Sequence, residues 1–140
     1  MLHRVFVSFD YENDRQYKYL LEAWNDNPRF QFTFQDMSPS EINSYNVGRV
    51  KAALTAEINT ATHTFVIVGK YANLPHGHRV LIGSKNWINF EIKQSKVHGN
   101  KLVAIKLNRN YASPDELISA RAAWAMSFTQ AAILSALSAA

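Results

Sequence analysis

The chain has 140 residues, 47% hydrophobic and 19% charged, the balance of one globular domain with a full core and not of a disordered chain. It has no cysteine, which excludes disulfides and thiolate zinc or iron–sulfur centres and fits a reducing compartment. A net charge of +4 and a pI near 9.4 favour anionic ligands, but the Lys and Arg residues are scattered, so no nucleic-acid groove is expected.

Met1-Leu2-His3-Arg4-Val5 runs straight into a strand pattern with no signal peptide before it. No apolar run is long enough to span a bilayer. A cytoplasmic protein that does not engage membranes is the expectation. Arg4 to Phe9 is a β-rich strand. Asp10 to Asp14 is an acidic turn in which Asn13 or Asp14 caps the next helix. That helix carries Tyr17, Leu20, Leu21 and Trp24 at helical spacing and ends at Asn25-Asp26-Asn27-Pro28. Phe30 to Asp36 alternates strictly, with three Phe on one face, as an edge strand does. Met37 to Asn46 reads as a polar loop. Val47, Val50, Leu54 and Ile58 mark an amphipathic helix over Val47 to Thr60.

Thr64 to Gly69 is a continuous apolar run, the mark of a central parallel strand. Lys70 to Gly83 reads as a long loop. Ser84 or Asn86 caps a helix that stops near His98-Gly99. Lys101 to Leu107 is another apolar strand. In the tail, Pro114 opens a short helix and Ala122 to Ser127 forms a last strand. A closing helix over Thr129 to Ala139 buries Ile133, Leu134 and Leu137.

Alternating strands and helices predict an α/β fold with a parallel sheet and right-handed crossovers. With the alternating strand at the edge, the expected architecture is flavodoxin-like: a single three-layer domain over residues 1–140, about five strands in the order 2-1-3-4-5. Ligands in such sheets bind at the switch point between strands 1 and 3. Phe9 to Asp14, Asp36 to Asn46 and Lys70 to Asn86 fall at that end.

The chain lacks the Walker and dinucleotide-binding glycine patterns, and its five glycines cannot build a phosphate loop. Val68-Gly69-Lys70 stands where a response-regulator receiver needs a phosphoacceptor Asp, and no G-x-S-x-G elbow is present. His76-Gly77-His78 has no Cys or carboxylate in its loop, so it reads as a solvated segment and not a metal site. Asp10, Glu12 and Asp14 lack the Gly and distal Glu of a calcium loop. Glu91 stands out. Its helical neighbours Trp87, Ile88, Gln94 and Ser95 include no base. A carboxylate so placed is a candidate for chemistry; a solvated helix residue is the competing reading.

Val5 to Asp14, then Phe34-Gln35-Asp36-Met37-Ser38, then Trp87 to Ile92 together resemble the bacterial TIR-like family, in particular its Thoeris antiphage members. The resemblance covers essentially the whole chain. It implies an enzyme that cleaves the nicotinamide–ribose bond of NAD and cyclises ADP-ribose to a cyclic isomer. NAD is then a substrate and no cofactor or metal is required. The implied partners are an effector protein reached through the nucleotide signal, a phage-derived trigger, and other TIR domains in self-assembly. Glu91 matches the family's catalytic Glu. Ser8, Phe9, Asp10 and Tyr11 match the loop that lines the NAD site. Residues 36–46 match a loop that gates the site and mediates assembly. Many TIR enzymes carry Ser or Cys a turn or so before the Glu; here Trp87 stands one turn before it.

One carboxylate suits this reaction. Glycosidases need two because the leaving oxygen must be protonated, whereas nicotinamide leaves from a ring that is already cationic. The remaining task is to hold the ribose and stabilise an oxocarbenium-like transition state. Trp87 would supply an apolar wall, with core packing as its alternative. Phe9 and Tyr11 would stack on a ring, Phe9 having core burial as its alternative. Asp36 would contact ligand or initiate a turn, and Ser8 and Asp10 would contact ligand or cap the loop. Two other functions stay open: a non-catalytic TIR-like interaction module, and a flavodoxin-like binder of a phosphorylated ligand.

Overall fold

The structure is a computed structural model that describes residues 3–25, 32–34 and 46–140. Five strands, β1 (His3–Ser8), β2 (Phe32–Phe34), β3 (His63–Val68), β4 (Lys101–Lys106) and β5 (Ala123–Ala125), form one sheet in the order β2-β1-β3-β4-β5. Every pairing is parallel, with Val5 opposite His63 and Ile67 opposite Ile105. The expected α/β class and parallel sheet are what is found. Of the alternating segment 30–36, only Phe32–Phe34 falls in the described residues, as an edge strand.

Side-chain alternation decides which helix covers which face. Val5, Val7, Phe65, Ile67, Val103 and Ile105 pack under α1 (Tyr11–Trp24) and α5 (Gln130–Ala139), meeting Leu21, Ile133 and Ala136. Phe6 points to the opposite face, where it meets Val50, Leu54 and Ile58 of α2 (Val47–Thr60). Val66, Val68, Leu102 and Ala104 there meet Ile88 and Ile92 of α4 (Trp87–His98). β3 is buried along its whole length, as its continuous apolar run requires. Each such Val, Ile or Phe contributes roughly 1.5–3 kcal/mol relative to an exposed side chain.

Several local expectations are corrected. α1 starts three or four residues early, because Asp10 rather than Asn13 or Asp14 is its cap; Asp10 Oδ1 accepts from the Glu12 amide. The helix is also rotated from the expected stripe. Leu20 is 42% exposed, while Asp14 and Lys18 are buried beside Leu21. Gly69, just past β3, permits this: a Cβ there would collide with the Asp14 carboxyl. The segment 70–83 is not all loop, since α3 (Arg79–Ile82) forms within it and ends on left-handed Gly83. Asn86, not Ser84, caps α4. In α5 the buried pair is Ile133 and Ala136, with Leu134 and Leu137 half-buried. No described helix is long and apolar enough to cross a membrane.

Candidate functional site

A cavity of about 660 Å³ opens at the carboxyl ends of β1 and β3. The switch point of the sheet lies there: α1 leaves β1 on one face and α2 returns to β3 on the other. Three helices begin at this cavity. Tyr11 to Asn13 of α1, Val47 and Val50 of α2, and Trp87 and Ile88 of α4 all line it. Their caps are Asp10, Asn46 and Asn86. α2 and α4 carry no acidic residue in the first turn. The partial positive charge of those two helix starts is therefore not offset locally, which suits an anionic group. The opposite wall comes from the passage after β3, where Tyr71, Leu74, Pro75 and His76 line the cavity.

Phe9, Asp10, Tyr11 and Trp87 come together in this lining. Phe9 is also a core residue, 3% exposed, so core burial holds for it alongside its place in the lining. Asp10 lines the cavity while capping α1 and accepting from Asn13 Nδ2 at 2.7 Å. Tyr11 is half-buried with the Arg15 guanidinium 5.3 Å from its ring centre. Trp87 is half-buried, edge-on to Phe90 at 5.7 Å and to His76 at 6.4 Å. Asp36 and residues 37–45 of the expected gating loop lie outside the described residues.

Ser8 and Glu91 form a separate, deeper pair. Ser8 Oγ donates to Glu91 Oε1 at 2.6 Å, and both residues are buried. Glu91 is 1% exposed, which removes the solvated-helix reading. It is not itself in the cavity lining. It sits one helical turn in from Trp87 and Ile88, against the strand residue that precedes Phe9. The alternation that turns Phe6 toward α2 and α4 also turns Ser8 toward Glu91. Burial pushes the Glu91 carboxyl up to about 8, while the Ser8 hydroxyl pulls it the other way. Ser95 Oγ reaches back to the Glu91 carbonyl at 2.8 Å and meets Thr64 Oγ1 at 2.7 Å, fixing this turn of α4 to β3.

Two features escaped the sequence reading. His76 is not a solvated loop residue but half-buried wall, with Nδ1 accepting from the His78 amide at 2.9 Å. Burial, and then the neighbouring His78, lower its pKa and keep the ring neutral at pH 7. Its position after the third strand was the available signal. Asp14, one turn along α1 from Asp10, has a buried oxygen with no hydrogen-bond partner. Burial, and then the nearby Asp10, raise it to about 6. Among the described residues, no three His, Cys, Asp or Glu side chains are grouped to hold a metal.

A parallel sheet covered on both faces, with a ligand-sized cavity at its switch point, places the chain in the flavodoxin-like class of α/β proteins. Within that class the sequence matches the family described as Thoeris protein ThsB, TIR-like domain, over residues 6–112; the chain belongs to that family. Among solved structures it is similar to a 2-deoxyribosyltransferase from Bacillus psychrosaccharolyticus, at 16% identity and a TM-score of 0.56, covering 89% of this chain and 87% of that one. It also matches the CMP N-glycosidase BcmB of Clostridium botulinum at 11% identity and a TM-score of 0.44, covering 74% and 71%. The first likeness is one of fold. No curated protein matches the chain.

Proposed function

We propose that the protein cleaves the nicotinamide–ribose bond of NAD and joins the resulting ADP-ribose to itself as a cyclic isomer, a cytoplasmic signal in antiphage defence. The observation that carries this reading is the Ser8–Glu91 pair, a buried carboxyl immediately behind a cavity of dinucleotide-binding size. The diphosphate would lie against the starts of α2 and α4, and the rings against Tyr11, Trp87 and His76. With no ligand, burial keeps Glu91 protonated. The cationic nicotinamide ring favours the carboxylate, which then faces a developing positive charge at the ribose C1′. The C–N bond breaks with its electron pair leaving on nicotinamide, so no acid is needed. A nucleophile of the same ADP-ribose captures C1′; water in its place would give the linear product. NAD is the substrate, with no resident cofactor or metal. A phage-derived trigger and TIR–TIR assembly would act upstream, and an effector protein would read the nucleotide.

The test is nicotinamide release by the purified protein, alone and with lysate of phage-infected cells. Glu91→Gln, which keeps an acceptor for Ser8, is expected to lose at least about a hundredfold in rate with an unchanged circular dichroism spectrum. Full activity in the folded variant rejects Glu91 as the catalytic group. If the wild type consumes no NAD under either condition, the non-catalytic interaction module replaces the enzyme.

A further inference from the structure

We propose that Asn89 is a positioning residue that latches the cavity wall after β3 to the start of α4. The proposal rests on the NAD-cleaving reading for its kinetic consequence, though not for the latch itself. Asn89 is 1% exposed and does not line the cavity. Its Nδ2 donates to Asn86 Oδ1 at 3.0 Å and to Asn73 Oδ1 at 3.1 Å. Its Oδ1 accepts from the Glu116 amide at 2.9 Å. Both Nδ2 protons and the carbonyl oxygen are thus engaged, and each bond runs to a different segment.

The partners explain what is held. Asn86 Nδ2 donates to the carbonyls of Ala72 and Leu74 at 2.9 and 3.0 Å. Asn73, between them, also accepts from the Asp115 amide at 3.0 Å and donates to Asp115 Oδ1 at 3.0 Å. Lys85 closes the circuit on Asp115 Oδ2 at 3.2 Å. Residues 72–74 are therefore fixed at two carbonyls and one side chain, all through amides on or beside α4. The neighbours of this segment, Tyr71, Leu74, Pro75 and His76, are the wall. A helix needs only the Asn86 cap at this end. Burying a second amide whose bonds go to the cap, a loop and a distant turn costs desolvation, which ordered wall geometry offsets.

The test pairs Asn89→Ala with Asn73→Ala, a half-buried loop substitution that leaves α4 intact. In ligand-free protein the amides of Ala72, Leu74 and His76, all hydrogen-bonded within the 69–85 passage, are expected to exchange about tenfold faster in either variant. The amides of β3 and β4 should be unchanged. KM for NAD should rise about tenfold in each, kcat should change less than about threefold, and the double variant should add little to either single. A uniform loss of stability would accelerate the strands as well, would lower apparent kcat with KM unmoved, and would overturn the positioning role. Unchanged exchange at residues 72–76 overturns the latch, whatever the protein does with NAD. Exchange that accelerates with KM unmoved overturns the positioning role. If the wild type does not turn over NAD, the enzyme reading fails, and the exchange result alone decides the latch.

Discussion

At Glu91 the burial that lifts the carboxyl to about 8 also sets how the protein responds to pH. In the unfolded chain the group titrates near 4.5, so between these values the native state holds the proton and the unfolded state does not. The stability this contributes is complete below the unfolded pKa and is lost as pH rises through the folded one. Melting temperatures of wild type and Glu91→Gln, compared at about pH 5 and about pH 9, should shift in favour of the variant at the higher pH. A difference that does not move with pH would mean the carboxyl is not buried as described. Activity should run in the opposite sense. If the carboxylate is the working form, kcat/KM for NAD climbs as pH rises through about 8, and a profile flat from about pH 6 to pH 9 would exclude ionisation of Glu91 as the control.

Among the elements, α1 shows where sequence patterning reaches and where it stops. The apolar spacing of Tyr17, Leu21 and Trp24 located the helix, but Leu20 belongs to water and Asp14 to the sheet. No periodicity announces that, because the deciding fact is a glycine 55 positions away (69 − 14) whose missing Cβ makes room for a carboxyl. The cost is legible in the structure: one Asp14 oxygen lies buried without a partner. Its folded pKa is raised from 3.8 to about 6, so its contribution falls away as pH rises across that range. Asp14→Ala is therefore expected to melt higher than wild type at about pH 8 and to lose that advantage near pH 4, as a thermal scan would reveal. A lower melting temperature at both would assign Asp14 a bonding role not seen here.

The same limit applied at the site. Glu91 was visible because its helix offers it no basic neighbour, and Trp87 and the β1 loop because they fall in the segments that resemble a known family. Asn89 and His76 were not, since an Asn on a helix and a His in a polar passage are unremarkable until a neighbouring segment docks on them. The strands were legible for the reverse reason. β3 and β4 are apolar over Phe65 to Val68 and Leu102 to Ile105 because both faces are covered there, and the covering needs no particular partner.

At the scale of the molecule, and among the described residues, the cavity is made from segments that begin at residues 9, 47, 71 and 86, and no two of them are adjacent in sequence. The Ser8–Glu91 bond alone spans 83 positions. The helix starts converge only once β3 has paired beside β1, so the cavity does not exist in a partly assembled sheet. Ligand and fold must consequently report on each other. A dinucleotide that binds the native chain and nothing else raises its melting temperature by mass action, about 2.7 kcal/mol at a hundred times Kd. In Glu91→Gln, which the proposed mechanism leaves without turnover, NAD should raise the melting temperature steadily with concentration, and adenine alone, lacking the diphosphate, should do so far less. Even in a variant that performs no chemistry, heat resistance becomes a measure of occupancy.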